Sequence, residues 1–221
     1  MLEKLPKGKA WGADDIPAEL LWDGVDDLLE PLTVYLQLLH GWKLTPTIWH
    51  KALVVPIWKN KGAKDDIVNY CPISLTCTGH RLYERILLRD IQQFIPLPSD
   101  AQGRFRASRG CPHQALVLHK ALTHSKNAKI AFLDLWAAYD LVNRDRLWTL
   151  CHLKYGMPME LVECFSELFD HNESILLVAG KQGEPKSNSR GLLQGSSISP
   201  ILFNFYINDL AEALDVTPMG I

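Results

Sequence analysis

Apolar residues recur at helical spacing in two stretches of the amino-terminal half of this chain. Between Ile16 and Trp42 they fall mostly three or four positions apart, at Leu28, Leu32, Tyr35, Leu36 and Leu39. The stretch from Arg81 to Ile95 carries an apolar face and an arginine-rich face; its apolar residues are Tyr83, Leu87, Ile91 and Phe94. This periodicity is typical of one face of an amphipathic helix. The pattern predicts a helical pair in the first stretch and one long helix in the second.

Three shorter apolar runs have the composition of strands. Ala52–Trp58 is rich in Val and Ile and leads into the charged sequence Lys-Asn-Lys-Gly, which predicts a strand followed by a loop. Lys129–Leu135 contains a single acid, Asp134, in an otherwise almost wholly apolar run, so we expect a buried strand that presents this acid at a sheet edge. Ser174–Ala179, a turn over residues 180–183 and a return towards Leu192 predict a β-hairpin with a polar tip.

The second half of the chain is predicted to contain three further helices. One runs from about Arg144 to Tyr155, and the next, from about Met159 to His171, is opened by Pro158. The last runs through Leu214, with Ser199 as its N-cap and Pro200 at its first helical position. The predicted order of elements, in which helices are interspersed with single strands and a hairpin, is an α+β pattern.

The composition is that of a globular domain with little net charge. The 221 residues are 47% hydrophobic and 22% charged, enough to bury a substantial core. The formal charge of −2 argues mildly against strong binding to a polyphosphate backbone, which usually needs a basic excess. The five cysteines lack metal-ligand spacing and are expected to be reduced thiols. Without a secretion signal or an apolar run of roughly 20 residues, we expect an intracellular protein, nuclear or cytoplasmic, with no transmembrane segment.

Asp134 is the residue with the clearest chemical meaning. A carboxylate buried among Ile, Ala, Phe and Leu costs several kcal/mol unless another charge compensates it, and a divalent cation is the strongest such charge. The pattern alone leaves a second interpretation open, in which Asp134 ends a strand and caps the following turn.

Five ordered segments extend the argument from one acid to nearly the whole chain. They are Gly-Ala-Asp-Asp-Ile-Pro from Gly12, Asn-Tyr-Cys-Pro-Ile-Ser-Leu from Asn69, Gln-Gly-Arg-Phe-Arg from Gln102, Asp-Leu-Trp-Ala-Ala-Tyr-Asp from Asp134, and Gly-Leu-Leu-Gln-Gly-Ser-Ser-Ile-Ser-Pro from Gly191. The last two, here called the motif A segment (Asp134–Asp140) and the motif B segment (Gly191–Pro200), resemble polymerase motifs A and B of reverse transcriptases. The first three resemble amino-terminal and fingers segments of non-LTR (LINE-type) retrotransposon enzymes. Each match is weak alone, but five in order are specific.

The resemblance implies a right-hand polymerase fold and a two-metal reaction. Residues 1–128 would form an amino-terminal extension and the fingers, and residues 129–221 part of the palm, with helices packed on a small antiparallel sheet. In such enzymes two Mg²⁺ ions hold the attacking 3′-hydroxyl and the leaving pyrophosphate during nucleotide transfer. The implied partners are an RNA template, a DNA primer and a deoxynucleoside triphosphate. The oligomeric state is left open.

The resemblance also assigns roles to individual residues. Asp134 would be the first metal-binding carboxylate, and the carbonyl of Leu135 would bind the same ion. Tyr139 would lie beneath the incoming sugar, and Gln194 and Gly195 would contact nucleotide and template. On pattern alone, Tyr139 is equally a core aromatic and Gly195 an ordinary turn glycine. Four cations are candidates for contacts to nucleotide phosphates or nucleic acid, with solvated loop charges as the alternative: Lys59, Lys61, Arg104 and Arg106.

The chain departs from the family pattern at several positions. It ends before any aromatic-Ala-Asp-Asp segment, which would supply the other metal-binding carboxylates, and before the thumb. Cys71 stands where an arginine is expected to contact the triphosphate, and Arg104 stands where a glycine is expected. One carboxylate cannot balance two Mg²⁺ ions, and losing a member of a catalytic unit removes most of its effect. We therefore expect an incomplete Mg²⁺ site and a chain that does not polymerise DNA by itself.

The same departure bears on stability. The missing segment would pair beside the strand that carries Asp134, so we expect an unpaired sheet edge, exposed apolar surface and poor solubility.

Two alternative functions remain open. A non-catalytic remnant of the same fold could still bind RNA or an RNA–DNA hybrid, with an affinity that falls steeply with salt. An unrelated α/β enzyme, with Asp134 as phosphoacceptor or lone Mg²⁺ ligand, has less support because the chain has no second acidic cluster or downstream lysine at the required spacing and no Walker-type glycine loop.

Overall fold

Helices and a small sheet make up the part of the chain that the structure, a computed structural model, describes. This part comprises residues 2, 5–94, 102–103, 110–124, 127 and 129–215. The predicted nucleic-acid contacts Arg104 and Arg106 lie outside it. No helix in the described ranges has the length and apolar composition needed to cross a membrane.

The amino-terminal helices form where their periodicity predicts. The predicted pair consists of α1 (Ala18–Asp23) and α2 (Val25–Trp42), which Gly24 separates. The predicted amphipathic helix is α3 (Thr78–Phe94), whose apolar face buries Tyr83, Leu87 and Ile91. Both predictions are confirmed. A further helix, α4 (Cys111–His124), has no buried side chain.

The carboxyl-terminal helices also lie close to their predicted positions. α5 (Arg144–Thr149) continues as a π-helical segment over Leu150–Lys154. α6 (Met159–Asp170) begins directly after Pro158, and α7 covers Ser199–Asp215. These three helices surround a packed core. The ring of Trp148 stacks on that of Phe165 with centroids 6.3 Å apart.

The sheet is mixed in direction, with β1 (Lys51–Trp58) at its centre. This strand pairs antiparallel with β2 (Tyr70–Leu75) and parallel with β3 (Glu173–Val178). β3 in turn pairs antiparallel with the short strands β4 (Lys181–Gln182) and β5 (Lys186–Ser187). The α+β class is confirmed, but the expectation of an antiparallel sheet is wrong. Several helices lie between β1 and β3 in the sequence, and a connection of this length allows the two strands to run parallel.

The predicted β-hairpin is present as β3 and β4, with a shorter tip than expected. Leu177 pairs with Gln182 and Val178 with Lys181, so only Ala179 and Gly180 form the turn. Their φ angles are 51° and 76°. A two-residue turn of type I′ needs positive φ at both positions.

The predicted strand over Lys129–Leu135 is wrong. The segment has no regular secondary structure, and Phe132 and Leu133 are 84% and 80% exposed. A strand persists only where neighbouring strands bond its backbone groups. Among the described residues the sheet order is β2-β1-β3-β4, with β5 on β3, and no strand pairs with this segment. Asp134 is therefore exposed rather than buried at a sheet edge.

The start of α7 also differs from the prediction. Ser199 lies inside the helix, and within the described chain its hydroxyl has no hydrogen-bond partner. The oxygen that satisfies the first amides is Oγ of Ser196, which accepts from the N–H groups of Ile198 and Ser199 at 3.2 Å each. Ser199 is not the N-cap, because the turn before the helix brings the Ser196 hydroxyl to the unbonded amides.

Candidate functional site

The turn of the motif B segment is fixed tightly against β2. The N–H of Ser74 donates to the carbonyl oxygen of Gln194 at 2.6 Å. Gly195 has a φ of 125°, and a Cβ added there would lie 2.5 Å from the carbonyl oxygen of Ser74. A residue with a side chain rarely adopts this φ and would overlap the backbone of β2. Gly195 is therefore required by both its conformation and its contact.

The side chain of Gln194 is held by the same strand. Cys71 Sγ donates a hydrogen bond to Oε1 of Gln194 at 3.1 Å. This is the position at which the family resemblance leads us to expect an arginine. In this chain the residue there contacts the motif B turn.

The motif A segment meets the motif B segment through backbone contacts. The N–H of Leu192 donates to the carbonyl of Tyr139 at 2.9 Å, and the N–H of Gly191 donates to the carbonyl of Val142 at 2.8 Å. Gly191 has a φ of 90°, and a Cβ there would lie 3.0 Å from the carbonyl oxygen of Asp140. Two segments far apart in sequence thus form one structural unit.

A cleft of about 840 Å³ opens where these segments meet the sheet. Both motif segments and β2 line this cleft. Their lining residues include Trp136, Ala137 and Asp140 of the motif A segment, Gln194 of the motif B segment, and Pro72 and Ser74 of β2. Its charged lining consists of Asp140, Arg144, Glu184, Lys186 and Arg190. The volume lies in the range of roughly 300–1,000 Å³ that is usual for sites of small ligands and cofactors.

Asp140 is the acid of the motif A segment that lines this cleft. Partial burial raises the pKa of its carboxyl above the ordinary value, although the side chain stays accessible to solvent. A perturbed carboxyl in a cleft is a common feature of functional sites.

The contact between the motif A and motif B segments agrees with the protein family that the sequence matches. Residues 58–218 match the family described as "Reverse transcriptase (RNA-dependent DNA polymerase)", which is more than half of the chain. The chain belongs to the reverse transcriptase family. The match includes both motif segments, β2 and all the predicted site residues.

Polymerases of mobile elements are among the proteins to which this chain is similar. "RNA-directed DNA polymerase from mobile element jockey" of Drosophila melanogaster is 26% identical over 230 residues, covering 98% of this chain and 24% of that protein. "Probable RNA-directed DNA polymerase from transposon BS" of the same species is 25% identical over 217 residues, covering 95% and 24%. "Retrovirus-related Pol polyprotein from type-1 retrotransposable element R2" of Popillia japonica is 25% identical over 190 residues, covering 84% and 26%. The chain spans about a quarter of the length of these relatives. The resemblance to reverse transcriptases of non-LTR retrotransposons is confirmed.

The predicted nucleotide-binding residues of this chain lie in three places. Gln194 lines the cleft and Gly195 follows it in the turn. The ring of Tyr139 packs against that of Phe203 in α7, with centroids 5.1 Å apart, so it has the contacts of a core aromatic. Lys59 and Lys61 are exposed in the connection between β1 and β2, where Nζ of Lys59 donates to the carbonyl of Val68 at 2.9 Å. Neither Lys59 nor Lys61 lines the cleft.

The predicted metal ligands lie beside the cleft. Asp134 and Leu135 are exposed and directly precede Trp136, which lines it. Within the described ranges, no group of three or more His, Cys, Asp or Glu side chains is arranged to hold a metal ion. Mg²⁺ takes six oxygen ligands, and a two-ion site needs several carboxylates. The donors in the described part of the chain therefore do not make a complete Mg²⁺ site.

Arg144 is a site residue that the sequence reasoning missed. Its buried guanidinium donates from Nε to the carbonyl of Gly191 at 2.9 Å and from Nη2 to that of Arg190 at 3.0 Å. A third bond, from Nη1, reaches the carbonyl of Phe169 at the end of α6. Burial lowers the pKa of Arg144. One feature of the sequence could have indicated its role. Arg144 directly follows the N-cap Asn143, at the end of a helix where the helix dipole disfavours a positive charge.

Proposed function

We propose that this chain forms the part of an RNA-directed DNA polymerase site that holds the nucleotide and the template strand. The observation that supports this function most directly is the meeting of the motif A segment, the motif B segment and β2 at one cleft. Residues 1–128 then correspond to an amino-terminal extension and the fingers, and residues 129–221 to part of the palm.

The proposed roles follow the position of each residue. Gln194 and Gly195 contact the nucleotide and template from the motif B turn, which supports this role because its backbone is held at both ends. Tyr139 is proposed to lie beneath the incoming sugar, with its ring supported by Phe203 of α7. Lys59 and Lys61 contact phosphates from the exposed connection after β1, and contacts of this kind position a nucleic acid without reading its sequence. Arg104 and Arg106 are proposed as further contacts to nucleic acid.

Asp134 and the carbonyl of Leu135 are the proposed Mg²⁺ ligands from this chain. A bound Mg²⁺ pair supplies charge stabilisation to the attacking and leaving oxygens of nucleotide transfer. The described donors are too few for such a pair. We infer that the chain by itself does not polymerise DNA.

A primer-extension assay tests this inference. The purified 221-residue chain is incubated with an RNA template, an annealed DNA primer, deoxynucleotides and Mg²⁺, beside the Asp134→Ala variant. We expect no product above that of the variant, because Asp134 alone cannot hold the two Mg²⁺ ions even in the unaltered chain. Extension by the unaltered chain clearly above the variant would contradict the inference.

A second candidate function is binding of RNA or an RNA–DNA hybrid without catalysis. Two observations favour it: the motif B turn is held against β2, and the exposed Asp134 belongs to no metal-binding cluster among the described residues. Hybrid affinity measured by fluorescence anisotropy should fall linearly with salt on a log–log scale, and Lys61→Ala should reduce the slope by roughly 1. Lys43→Ala is the matched control, since the charge of Lys43 is already compensated by its ion pair with Glu163. Salt-independent binding, or equal slopes for all three proteins, would contradict the proposed phosphate contact.

A further inference from the structure

α3 places a histidine and a glutamate side by side in the interior of the protein. His80 and Glu84 lie one helical turn apart, and both side chains are buried. Removing a carboxylate from water is costly unless hydrogen-bond donors or an opposite charge replace the water. The partners of Glu84 therefore indicate what this charge does in the fold.

Two of these partners belong to the motif B segment. The hydroxyl of Ser196 donates to Oε1 of Glu84, and the N–H of Ser197 donates to Oε2 at 2.9 Å. The third partner is Nε2 of His80, 3.3 Å from Oε1. The other ring nitrogen of His80 lies 3.0 Å from the carbonyl oxygen of Trp49. Both ring nitrogens of His80 thus face oxygen atoms.

Glu84 also acts on the start of α7 through Ser196. Oγ of Ser196 donates to Glu84 and accepts from the N–H groups of Ile198 and Ser199. Glu84 thus satisfies three successive amides at the start of α7. It accepts from the N–H of Ser197 directly, and it holds the Ser196 hydroxyl that accepts from Ile198 and Ser199. A negative charge at this end of a helix is also favoured by the helix dipole.

We propose that Glu84 is a positioning residue that fixes the Gln194–Gly195 turn in the cleft. The turn is held from one side by β2, through Ser74 and Cys71, and from the other by Glu84, through Ser196. Without the carboxylate, Ser196 and Ser197 lose their hydrogen bonds to Glu84, and the turn is free to move away from Cys71. The importance of this device for binding rests on the proposed function of Gln194, whereas the placement of the turn can be measured without it.

The thiol of Cys71 provides the measurement. It is half-buried and donates to Gln194, so it is screened by the turn that Glu84 is proposed to hold. A released thiol is alkylated through its thiolate form. Cys77 lies close by in sequence but is fully buried and donates to the carbonyl of Ile48, outside the motif B segment. The alkylation rates of these two cysteines distinguish movement of the turn from general loosening of the protein.

The experiment compares Glu84→Gln with a matched control, Glu167→Gln. Glu167 is also a shielded acid beside a histidine, 3.7 Å from Nε2 of His50, and it accepts from the N–H of Thr45 at 3.2 Å. It makes these contacts on α6, away from the motif B segment. Each protein is treated with N-ethylmaleimide, and the modification of each cysteine-containing peptide is followed by mass spectrometry.

In Glu84→Gln we expect Cys71 to react about tenfold faster, because the carboxylate bonds to Ser196 and Ser197 are weakened. The rate at Cys77 should not change, and Glu167→Gln should change neither rate. Ser196→Ala, which removes the linking hydroxyl and keeps the acid, should also accelerate Cys71 and serves if Glu84→Gln does not fold.

Two results would overturn the proposal. An unchanged rate at Cys71 in Glu84→Gln and Ser196→Ala would mean that the acid does not hold the turn. Equal acceleration at Cys71 and Cys77 would mean that Glu84 contributes only to overall stability. Neither result depends on nucleic-acid binding, so failure of the proposed function is recognised separately, by absence of hybrid binding in the unaltered chain.

Discussion

Gly195 combines two local constraints in one residue. Its φ of 125° is rarely adopted by residues with a side chain, and the carbonyl oxygen of Ser74 occupies the space of a Cβ. Gly180 in the β-hairpin shares only the first constraint, since its φ is 76° and nothing lies within 4 Å of its Cβ position. The two glycines therefore separate the effect of conformation from that of contact.

Gly195→Ala is predicted to destabilise the protein by at least about 3 kcal/mol, because backbone strain and overlap with β2 add. Gly180→Ala should cost only about 1–2 kcal/mol, from its left-handed conformation alone. The free energies of unfolding are measured by urea denaturation. Equal losses in the two variants would contradict the close contact between the motif B turn and β2.

His50 is predicted to make stability depend on pH. Burial lowers the pKa of its imidazole below the ordinary 6.5. The unfolded chain therefore takes up the proton first as the pH falls below about 6.5, and the free energy of unfolding decreases. His50→Gln should flatten this decrease between pH 7 and pH 5. His113→Gln, at an exposed position on α4, should leave the decrease unchanged.

A pH profile of unfolding for the three proteins checks the prediction. If His50→Gln and the unaltered chain have parallel profiles, His50 is not the group whose protonation the fold opposes.

At the scale of elements, the β3–β4 hairpin has one residue poorly suited to its turn. Ala179 has a φ of 51°, whereas Asn tolerates the left-handed region and is favoured at the first position of a type I′ turn. Ala179→Asn is predicted to stabilise the protein by about 0.5–1 kcal/mol. The same change at Ala115, exposed in α4, should cost about 0.5 kcal/mol through lower helix propensity. Thermal unfolding of both variants measures the difference, and a loss of stability in Ala179→Asn would contradict the assigned turn.

The elements also explain which parts of the fold could be predicted from sequence. α3 was predicted because its apolar spacing is a local property that its packing preserves, and the start of α6 was predicted from Pro158. The segment Lys129–Leu135 was misjudged because a strand depends on a partner, and composition does not specify one. The parallel pairing of β1 and β3 was missed for the same reason.

The same distinction between local signals and distant contacts applies to the residues of the candidate site. Gln194 and Gly195 were predictable because a contiguous motif contains them, and the structure places both in the turn beside the cleft. Arg144 and Glu84 were not predicted, because their partners lie far away in sequence and become neighbours only in the folded chain. The roles of Asp134 and the lysines in binding stay predictions.

At the scale of the whole molecule, the exposed segment around Asp134 is predicted to limit solubility. Phe132 and Leu133 add apolar surface that no described residue covers well, and such patches favour self-association. The double variant Phe132→Ser, Leu133→Ser should reduce light scattering of the concentrated protein. The free energy of unfolding should change by less than about 0.5 kcal/mol, because surface substitutions have small effects.

Ile67→Ser is the control for this prediction. Ile67 is 79% exposed in the connection between β1 and β2, outside the segment that carries Asp134. If it reduces scattering as much as the double variant, the segment around Asp134 has no special part in association.

The central claim is that the motif A segment, the motif B segment and β2 together form a surface for nucleic acid and nucleotide. Amide hydrogen exchange of the unaltered chain, with and without an RNA–DNA hybrid at low ionic strength, tests it most directly. We expect the hybrid to protect residues 136–141 and 191–195, high salt to abolish this protection, and α6 to exchange equally in both states. If the hybrid binds and both motif segments stay unprotected, these segments do not form its binding surface.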